Sequence, residues 1–313
     1  MKNINILFLG GAKRNSLAEA FIESGKNLGY EINIFSYELD KYVPISFLAK
    51  VIIGKKWEDN NVYYHLKTII EKNKINIVLP FVDPAVLVAS KLKRILTNQD
   101  VFIPVSSLEL VDIFYNKLKS NDWCIKNNFR VPPQNNEYPQ IAKPIRGSAS
   151  KGIIVLKDNK ELKRINKDDY LIQKYINGDE YTIDCYVSPI SKKIITIVPR
   201  IRLDVQGGES IKSITKKDKQ MINFAKKVLK KSKLIGPVTI QVIKEKNSNK
   251  IYFMELNPRF GGAVLTSIGA GANIPLYLLK DYLKIDMEYT EGWENNLLMI
   301  RRFKEYYIYA NNY

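Results

Sequence analysis

The chain of 313 residues contains only two cysteines and one histidine. Cys124 and Cys185 lie in different predicted segments without a CxxC spacing, so neither a disulfide framework nor a cysteine metal site is expected. His65 falls in a helix-like segment, which disfavours a mechanism that depends on a histidine base. The turn after the first strand, Gly10-Gly11-Ala12-Lys13, lacks the GxGxxG spacing of dinucleotide-binding turns. A nicotinamide cofactor is therefore not expected.

Long apolar runs are also missing. No stretch approaches the roughly 20 residues that a membrane-spanning helix needs. The apolar start, residues 4–9, is followed quickly by Lys13 and Arg14, unlike a secretory signal. We therefore expect a cytoplasmic protein with no membrane partner. A hydrophobic content of 45% over 313 residues is enough for two or three compact units, each with a core.

Acidic residues are outnumbered by basic ones. The chain has 49 Lys and Arg and 32 Asp and Glu, which gives a net charge of +17. The lysines are scattered along predicted helices and loops, and Ile, Asn and Lys are abundant throughout. This pattern is typical of a compositional bias and a solvated surface. We expect no specific nucleic-acid partner, while attraction of polyanionic small molecules, including nucleotides, stays open.

Strands and helices alternate in the first hundred residues, and this βαβ pattern predicts a parallel sheet. The predicted elements are strands 4–9, 31–36 and 75–80 and helices 15–28 and 60–73. Residues 1–100 are therefore predicted to form a Rossmann-like domain. A second unit begins near Val101, with one helix predicted from Ser107 through Lys119 and another around Asn121 to Asn127.

Two strands of the second unit, 140–143 and 152–156, flank a loop of small and hydroxyl residues, 146–151. Successive N–H groups in such a loop can cradle phosphate oxygens. Ile153 and Ile154 stand where a Walker A motif has Lys-Ser/Thr, which argues against a P-loop NTPase. The extended segment 170–180 ends in a glycine turn and is typical of a hinge, where backbone groups can hold a flat heterocycle. A loop is predicted from Arg200 to Ser210.

The most informative segment is a hairpin predicted from strands 237–244 and 251–256. If its turn centres on Ser248, Gln241 and Glu255 face each other across the two strands. Cross-strand partners project from the same face of a sheet. The two side chains are therefore predicted to converge.

Two further polar residues follow the second strand of this hairpin. Asn257 lies two residues after Glu255 and so projects from the same face. One carboxylate and two amides are oxygen donors that suit Mg²⁺ when phosphates complete its coordination. Pro258 is expected to end the strand, which leaves Arg259 free to bind a phosphate or a carboxylate.

Five features in chain order resemble the ATP-grasp superfamily. They are Asn116-Lys117, Lys143-Pro144, the loop 147–152, the segment 173–180, and Gln241 with Glu255-Leu256-Asn257-Pro258-Arg259. The likeness is to stand-alone proteins similar to the ATP-binding half of the carbamoyl phosphate synthase large chain. It implies an α/β and α+β fold in which residues 1–100 form a pre-ATP-grasp domain with a parallel sheet. A two-lobed ATP-grasp fold would follow, with a small lobe at 101–175 that carries the glycine and serine lid and a large lobe at 176–313 that carries the metal site.

The resemblance implies that ATP lies between the two lobes. The residues implied in binding it are Lys117, Lys143, Gly147, Ser148, Ser150, Gln173, Lys174, Ile176 and Glu180. The two lysines would contact the phosphates, and the loop 147–152 would close over them as a lid. Gln173, Lys174 and Ile176 would hold the adenine, mostly through main-chain groups, and Glu180 would hold the ribose hydroxyls.

The resemblance also implies a metal site and a catalytic pair. Glu255 and Asn257 would bind two Mg²⁺ ions, for which Mn²⁺ is an alternative, with Glu255 as the bridging ligand. Gln241 would be the third ligand. Because a neutral amide binds Mg²⁺ more weakly than a carboxylate does, the occupancy of the metal site at Gln241 would depend on bound nucleotide. Lys143 and Arg259 would stabilise charge on the transferring phosphoryl group.

The chemistry expected from these groups is ATP-dependent ligation of a small-molecule carboxylate to an amine through an acyl phosphate. A C–N bond would form, and ADP and phosphate would be released. The carboxylate could belong to an amino acid or a biosynthetic intermediate. Arg202 is the candidate for binding it in two-point fashion, with a surface salt bridge as the alternative. A homodimer is compatible with this reading.

Two other functions stay open at this point. The first is an ATP-grasp kinase or carboxylase that phosphorylates a hydroxyl or bicarbonate. The second is a non-catalytic nucleotide-binding or polyanion-binding protein, which the charge of +17 would favour.

Overall fold

The computed structural model describes residues 2–97, 100–147, 151–302 and 304–309. Two compact units are present, Met1–Ile103 with Ile300–Tyr313 and Pro104–Met299. The helices are α1 (Asn15–Asn27), α2 (Val62–Lys72), α3 (Asp83–Ile95), α4 (Leu108–Tyr115), α5 (Lys117–Lys126), α6 (Asn159–Leu162), α7 (Lys219–Ser232), α8 (Leu265–Gly269) and α9 (Ile274–Tyr282). The strands are β1 (Lys2–Leu9), β2 (Tyr30–Glu38), β3 (Lys50–Ile53), β4 (Ile77–Pro80), β5 (Gln140–Pro144), β6 (Ile154–Leu156), β7 (Tyr170–Lys174), β8 (Gly178–Val187), β9 (Ile194–Gln206), β10 (Glu209–Thr215), β11 (Gly236–Glu245), β12 (Ile251–Asn257) and β13 (Leu298–Ile300).

The first unit contains a four-stranded parallel sheet in the order β3-β2-β1-β4. Its core includes the rings of Phe8, Phe21 and Phe81, which pack edge-on or tilted at centroid distances of 5.9 and 4.5 Å from Phe8. The ring of Phe47 stacks on Tyr306 at 4.3 Å, so the C-terminal segment packs within this unit. The predicted parallel sheet is confirmed.

The second unit contains two sheets that are built from antiparallel pairs. The smaller one has the strand order β6-β5-β7, and the larger one has the order β12-β11-β8-β9-β10-β13. The mixed α/β and α+β class predicted from the sequence is confirmed.

The large sheet has one apolar face and one polar face, because its strands alternate. On β8, the side chains of Tyr181, Ile183 and Cys185 enter the main hydrophobic core, which also contains residues of α7. The opposite face carries Glu180, Thr182, Asp184, Arg200, Arg202, Thr239, Gln241, Glu255 and Asn257. All of the predicted metal ligands therefore lie on the polar face.

A buried ion pair crosses this polar face. Arg200 and Asp184 are only 2% and 1% exposed, and the Arg200 Nε donates to Asp184 Oδ2 at 2.8 Å. The hydroxyl of Ser267 donates to the same oxygen at 2.7 Å. The pair ties β8 to β9 and to helix α8, beside the row that holds Gln241 and Glu255.

Replacing Arg200 with methionine should lower the free energy of unfolding by about 3–5 kcal/mol, because Asp184 would keep a buried charge without its partner. Urea denaturation measures this change. Lys193→Met removes an exposed ion pair with Glu288 and should cost less than about 1 kcal/mol. A loss for Arg200→Met as small as the loss for this control would contradict the structural role.

Two predicted elements were wrong. The helix expected from Ser107 through Lys119 ends at Tyr115, and a new helix begins at Lys117. Asn116 separates them, because its side chain accepts from the N–H groups of Leu118 and Lys119 as an N-cap.

The second error concerns the loop expected from Arg200 to Ser210. These residues form the end of β9, a turn at Gly207-Gly208 and the start of β10. Both glycines have positive φ angles, of 57° and 79°, which a two-residue hairpin turn requires. Arg202 is therefore held on a strand.

No helix among the described residues is long and apolar enough to cross a membrane.

Candidate active site

A cleft in the second unit collects most of the predicted site residues. It encloses about 1000 Å³ free of protein atoms, including its open mouth. The lining residues are Lys117, Ile141, Lys143, Pro144, Gly147, Lys151, Ile153, Tyr175, Ile176, Gly178, Glu180, Tyr181, Arg202, Gln241, Val242, Ile243, Met254 and Glu255. Their aliphatic side chains suit a flat heterocycle. Their four cationic and two anionic side chains give a local excess of positive charge that attracts phosphates.

Lys117 occupies the first position of helix α5 because Asn116 begins that helix. Its main-chain N–H donates to the carbonyl of Ile145 at 3.0 Å, and its Nζ donates to the carbonyl of Gly147 at 3.1 Å. The side chain thus reaches the start of the predicted lid loop. A helix N-terminus and an ammonium group together favour an anionic ligand.

Lys143 lies on β5 and is only 5% exposed. Burial lowers the pKa of Lys143 to about 8, the Glu255 carboxylate raises it, and the Lys117 ammonium lowers it. Its Nζ donates to Gln173 Oε1 at 3.2 Å. The group is therefore a nearly buried cation that faces the cleft and is paired with a neutral amide.

The β11–β12 hairpin, which carries the predicted metal ligands, has the predicted register at Gln241. Gln241 on β11 lies opposite Glu255 on β12, and a β-bulge at Met254 shifts the pairing on one side of them. Both side chains line the cleft. The predicted convergence of these two residues is confirmed.

Asn257 is the last residue of β12, and Pro258 follows the strand end as predicted. The Asn257 side chain is buried, and its Oδ1 accepts from Arg259 at 3.4 Å. A second guanidinium nitrogen of Arg259 donates to the carbonyl of Phe260 at 3.2 Å. Arg259 lies just after the β11–β12 hairpin but is not among the described residues that line the cleft. Its catalytic role stays a prediction.

Arg202 and Glu180 face each other on the polar face of the large sheet. Arg202 Nη1 donates to Glu180 Oε2 at 3.1 Å, and its other nitrogens donate to Ser210 Oγ at 3.2 Å and Gly208 O at 3.1 Å. A substrate carboxylate would therefore have to replace one of these partners. The predicted roles of Arg202 in carboxylate binding and of Glu180 in ribose binding stay predictions.

The three predicted adenine-binding residues have different surroundings. Ile176 lines the cleft, while Lys174 is half-exposed and pairs with Glu137. The Lys174 N–H donates to the carbonyl of Pro133 at 2.7 Å. The Gln173 side chain is buried behind the cleft, against Lys143.

Comparison with known proteins identifies the architecture. Residues 166–301 match the family model described as ATP-grasp in the biosynthetic pathway with Ter operon. No curated protein matches the chain. Among solved structures, the chain is similar to the biotin carboxylase domain of 2-oxoglutarate carboxylase from Hydrogenobacter thermophilus, bound to MgADP and bicarbonate. That likeness has 14% identity and a TM-score of 0.72 over 94% of this chain and 73% of that one.

Two further solved structures are similar to the chain over most of its length. N5-carboxyaminoimidazole synthetase from Staphylococcus aureus, complexed with ADP, has 17% identity and a TM-score of 0.71 over 92% of this chain and 80% of that one. L-amino acid ligase from Bacillus licheniformis has 18% identity and a TM-score of 0.69 over 93% of this chain and 77% of that one. The chain therefore shares the fold of these three structures, and part of it matches an ATP-grasp family model. The finer likeness to carbamoyl phosphate synthase rests on the motifs and stays a prediction.

The predicted ATP-grasp lid begins at Gly147 and ends at Gly152. Gly147 and Lys151 line the cleft, while Ser148 and Ser150 lie outside the described residues. Gly152 has a φ of +73°, and a Cβ at this position would lie 3.0 Å from the Pro144 ring. Only glycine fits this end of the loop without strain.

The predicted metal ligands suit Mg²⁺ by donor type. Glu255 supplies a carboxylate, and Gln241 and Asn257 supply amide oxygens, all hard donors. No group of three or more His, Cys, Asp or Glu side chains that could hold a metal occurs in the described part of the chain. With one carboxylate, the site would bind Mg²⁺ weakly unless nucleotide phosphates share it.

Two residues, one in the cleft and one behind it, were missed by sequence reasoning. Lys151 lines the cleft at the far end of the lid loop, and its place beside Gly152 was the available signal. Asn121 accepts a hydrogen bond from Gln173, and its only signal was its spacing of one helical turn from Lys117.

The pH dependence of ATP binding should report on Lys143. A protonated lysine binds phosphate, and the pKa of Lys143 is lowered to about 8, so affinity should hold below pH 8 and weaken above it. Above that pH the dissociation constant should rise by up to about tenfold per unit. Titration calorimetry from pH 6.5 to 9.5 measures this rise. A profile that stays flat to about pH 10, or one that is the same in Lys143→Met, would contradict the assignment.

Proposed function

We propose that this protein is an ATP-dependent carboxylate–amine ligase of the ATP-grasp type, which forms a C–N bond through an acyl phosphate. The observation that carries the proposal is the convergence of Lys117, Lys143, Gln241 and Glu255 on one cleft. Two cationic groups for phosphates then face a set of oxygen donors for a divalent cation. We also propose that the protein acts in the cytoplasm on small molecules, and a homodimer stays a prediction.

The first half-reaction transfers the γ-phosphoryl group of ATP to a carboxylate. A carboxylate oxygen attacks the γ-phosphorus, the bond to the β-phosphate oxygen breaks, and ADP leaves. Lys117 and Lys143 would bind the phosphate oxygens, and Arg259 would turn toward the developing charge. Bound Mg²⁺, held by Gln241, Glu255 and Asn257 as two ions, would neutralise phosphate charge, and Mn²⁺ is an alternative.

The second half-reaction uses the acyl phosphate as an activated acid. The amine attacks the carbonyl carbon, the C–O bond to the phosphate breaks, and the nitrogen releases a proton as the amide forms. Phosphate is a good leaving group, so no nucleophilic side chain is needed. Cys124 and Cys185 are both buried, and burial raises the pKa of each thiol, which is consistent with a mechanism without a cysteine nucleophile.

Recognition of the carboxylate would involve Arg202. Its guanidinium lies at the cleft with Glu180 as its ionic partner. We propose that the ribose hydroxyls donate to the Glu180 carboxylate when ATP binds. The hydrogen bond from Arg202 Nη1 to Glu180 would then break, and Arg202 Nη1 could donate to the substrate carboxylate. Binding of ATP would then raise the affinity for the carboxylate.

The alternative within this fold is a carboxylase or kinase. One similar structure contains bicarbonate together with MgADP, which favours keeping a carboxylase as the second candidate. In that case bicarbonate would take the place of the organic carboxylate. The products separate the two functions.

An ADP-release screen over paired carboxylates and amines, with bicarbonate included, tests the proposal. The mass of the product is determined for each pair that releases ADP. The expected result is an amide formed in equal amount to ADP and phosphate. A carboxylated amine as the product would favour the carboxylase over the ligase. A stable phosphorylated metabolite would favour the kinase. ATP binding without turnover over the whole panel would favour a non-catalytic nucleotide-binding protein.

A further inference from the structure

The Gln173 side chain links the buried lysine to helix α5. Lys143 Nζ donates to Gln173 Oε1 at 3.2 Å, and Gln173 Nε2 donates to Asn121 Oδ1 at 2.9 Å. All three side chains are buried, and they connect β5 through β7 to α5. Gln173 and Asn121 also line a small cavity behind the cleft, together with Lys117 and Glu255.

The direction of these hydrogen bonds fixes the orientation of the Gln173 amide. The Lys143 ammonium can only donate, so the oxygen of the Gln173 amide faces β5 and its nitrogen faces α5, where Asn121 Oδ1 accepts. An amide oxygen accepts from the Lys143 ammonium without neutralising its charge. A lysine without this acceptor has a long, flexible stem and would lose directional restraint.

Helix α5 also carries the other phosphate-binding candidate. Asn121 follows Lys117 by one helical turn, so both residues lie on one face of α5. The Lys117 N–H donates to Ile145 O just after β5 ends. Two separate connections therefore join α5 to β5 and to the residue that follows it, one through the Lys143 side chain and one through the Lys117 main chain.

We propose that Gln173 and Asn121 are positioning residues that orient Lys143 for nucleotide phosphate, and that Gln173 acts only through Lys143. This inference rests on the proposed function in one respect, the binding of phosphate by Lys143. It assigns the Gln173 side chain a role distinct from the adenine contact that the sequence predicts.

A double-mutant cycle on MgATP affinity tests the proposal. The variants are Gln173→Met, Lys143→Met and the double variant, and calorimetry gives the dissociation constants. We expect Gln173→Met alone to weaken binding by about tenfold, the size of a hydrogen bond to a charged group. In the Lys143→Met background the same substitution should change binding less than about twofold, because the group it positions is gone.

Gln140→Met is the matched control for this cycle. Gln140 and Gln173 are both 2% exposed and lie on neighbouring strands, but the Gln140 amide donates to the carbonyl of Asn135. Gln140→Met should have the same small effect on MgATP binding with and without Lys143. Asn121→Ala should weaken MgATP binding by about threefold, again only when Lys143 is present. If Gln173→Met does not fold, Asn121→Ala replaces it in the cycle.

The outcomes separate the two hypotheses. If Lys143→Met binds MgATP as tightly as the wild type, the phosphate-binding role of Lys143 in the proposed function is wrong. If Lys143→Met weakens binding and the loss from Gln173→Met is as large without Lys143 as with it, the positioning role is wrong and Gln173 acts on the nucleotide or the fold directly. The same loss for Asn121→Ala in both backgrounds would overturn the role of Asn121.

Discussion

Glu255→Gln should reduce the rate of ADP release by about 10²- to 10³-fold with any substrate pair found in the screen. Glu255 is the single carboxylate in the predicted metal set, and it faces both Gln241 and Lys143. Loss of one preorganised electrostatic contact to the transferring group costs about 2.7–4 kcal/mol of barrier. The steady-state rate at saturating MgATP measures the effect.

The metal dependence of binding separates a metal role from a general charge effect. In the wild type, Mg²⁺ should tighten ATP binding, whereas in Glu255→Gln the affinities with Mg²⁺ and with EDTA should become similar. Glu245→Gln is the control, because Glu245 lies at the other end of the same hairpin beside Ser248 and outside the cleft. Wild-type ADP release by Glu255→Gln would refute the metal assignment.

Lys143→Met should weaken MgATP binding by about 10- to 100-fold without lowering the stability of the fold. A hydrogen bond to a charged group contributes about 1.5–3 kcal/mol, which corresponds to this range of affinity. Burial of the ammonium opposes folding, and methionine of similar length fills the same space without a charge. Calorimetry measures binding, and thermal unfolding measures stability.

Lys193→Met removes the same charge from an exposed position and should leave the MgATP dissociation constant within about twofold. If Lys143→Met lowers both the unfolding temperature and the affinity, the loss of affinity follows from the loss of the fold. Unchanged MgATP affinity in a stable Lys143→Met protein would show that Lys143 does not bind the nucleotide.

Sequence reasoning succeeded where local periodicity determines the geometry. Alternating side chains and a turn centred on Ser248 predicted that Gln241 lies opposite Glu255. In the structure the pairs nearer the turn are offset by one residue, and the β-bulge at Met254 restores the predicted pairing. A shift of one residue would have moved these polar groups to the core face. The same alternation puts Asn257 on the polar side, and Pro258 ends the strand.

Prediction from the sequence failed where one side chain decides between two local structures. The helix break at Asn116 depends on a side-chain oxygen that competes for two N–H groups, in a stretch whose apolar spacing continues on both sides. The β9–β10 hairpin was predicted as a loop that contains Gly207-Gly208, although polar and apolar residues alternate from Arg200 to Gln206, which is the pattern of a strand.

The contacts of the site residues lie beyond sequence reasoning for a different reason. Gln173 bonds to Asn121, which is 52 positions away in the chain, and Glu180 bonds to Arg202 across two strands. Such pairs exist only after the sheets and α5 have packed together. Motifs predicted several residues that line the cleft, among them Lys117, Lys143 and Glu255, while the folded chain determines which residues contact each other.

The transfer of ¹⁸O from a labelled carboxylate to phosphate tests the central claim most directly. The measurement uses wild-type protein, MgATP, and the carboxylate and amine identified by the screen, with the mass of the released phosphate as the readout. Formation of an acyl phosphate requires one carboxylate oxygen to leave with the phosphate, so each turnover should deliver one ¹⁸O to it. Phosphate that carries no label while the amide accumulates would contradict the account.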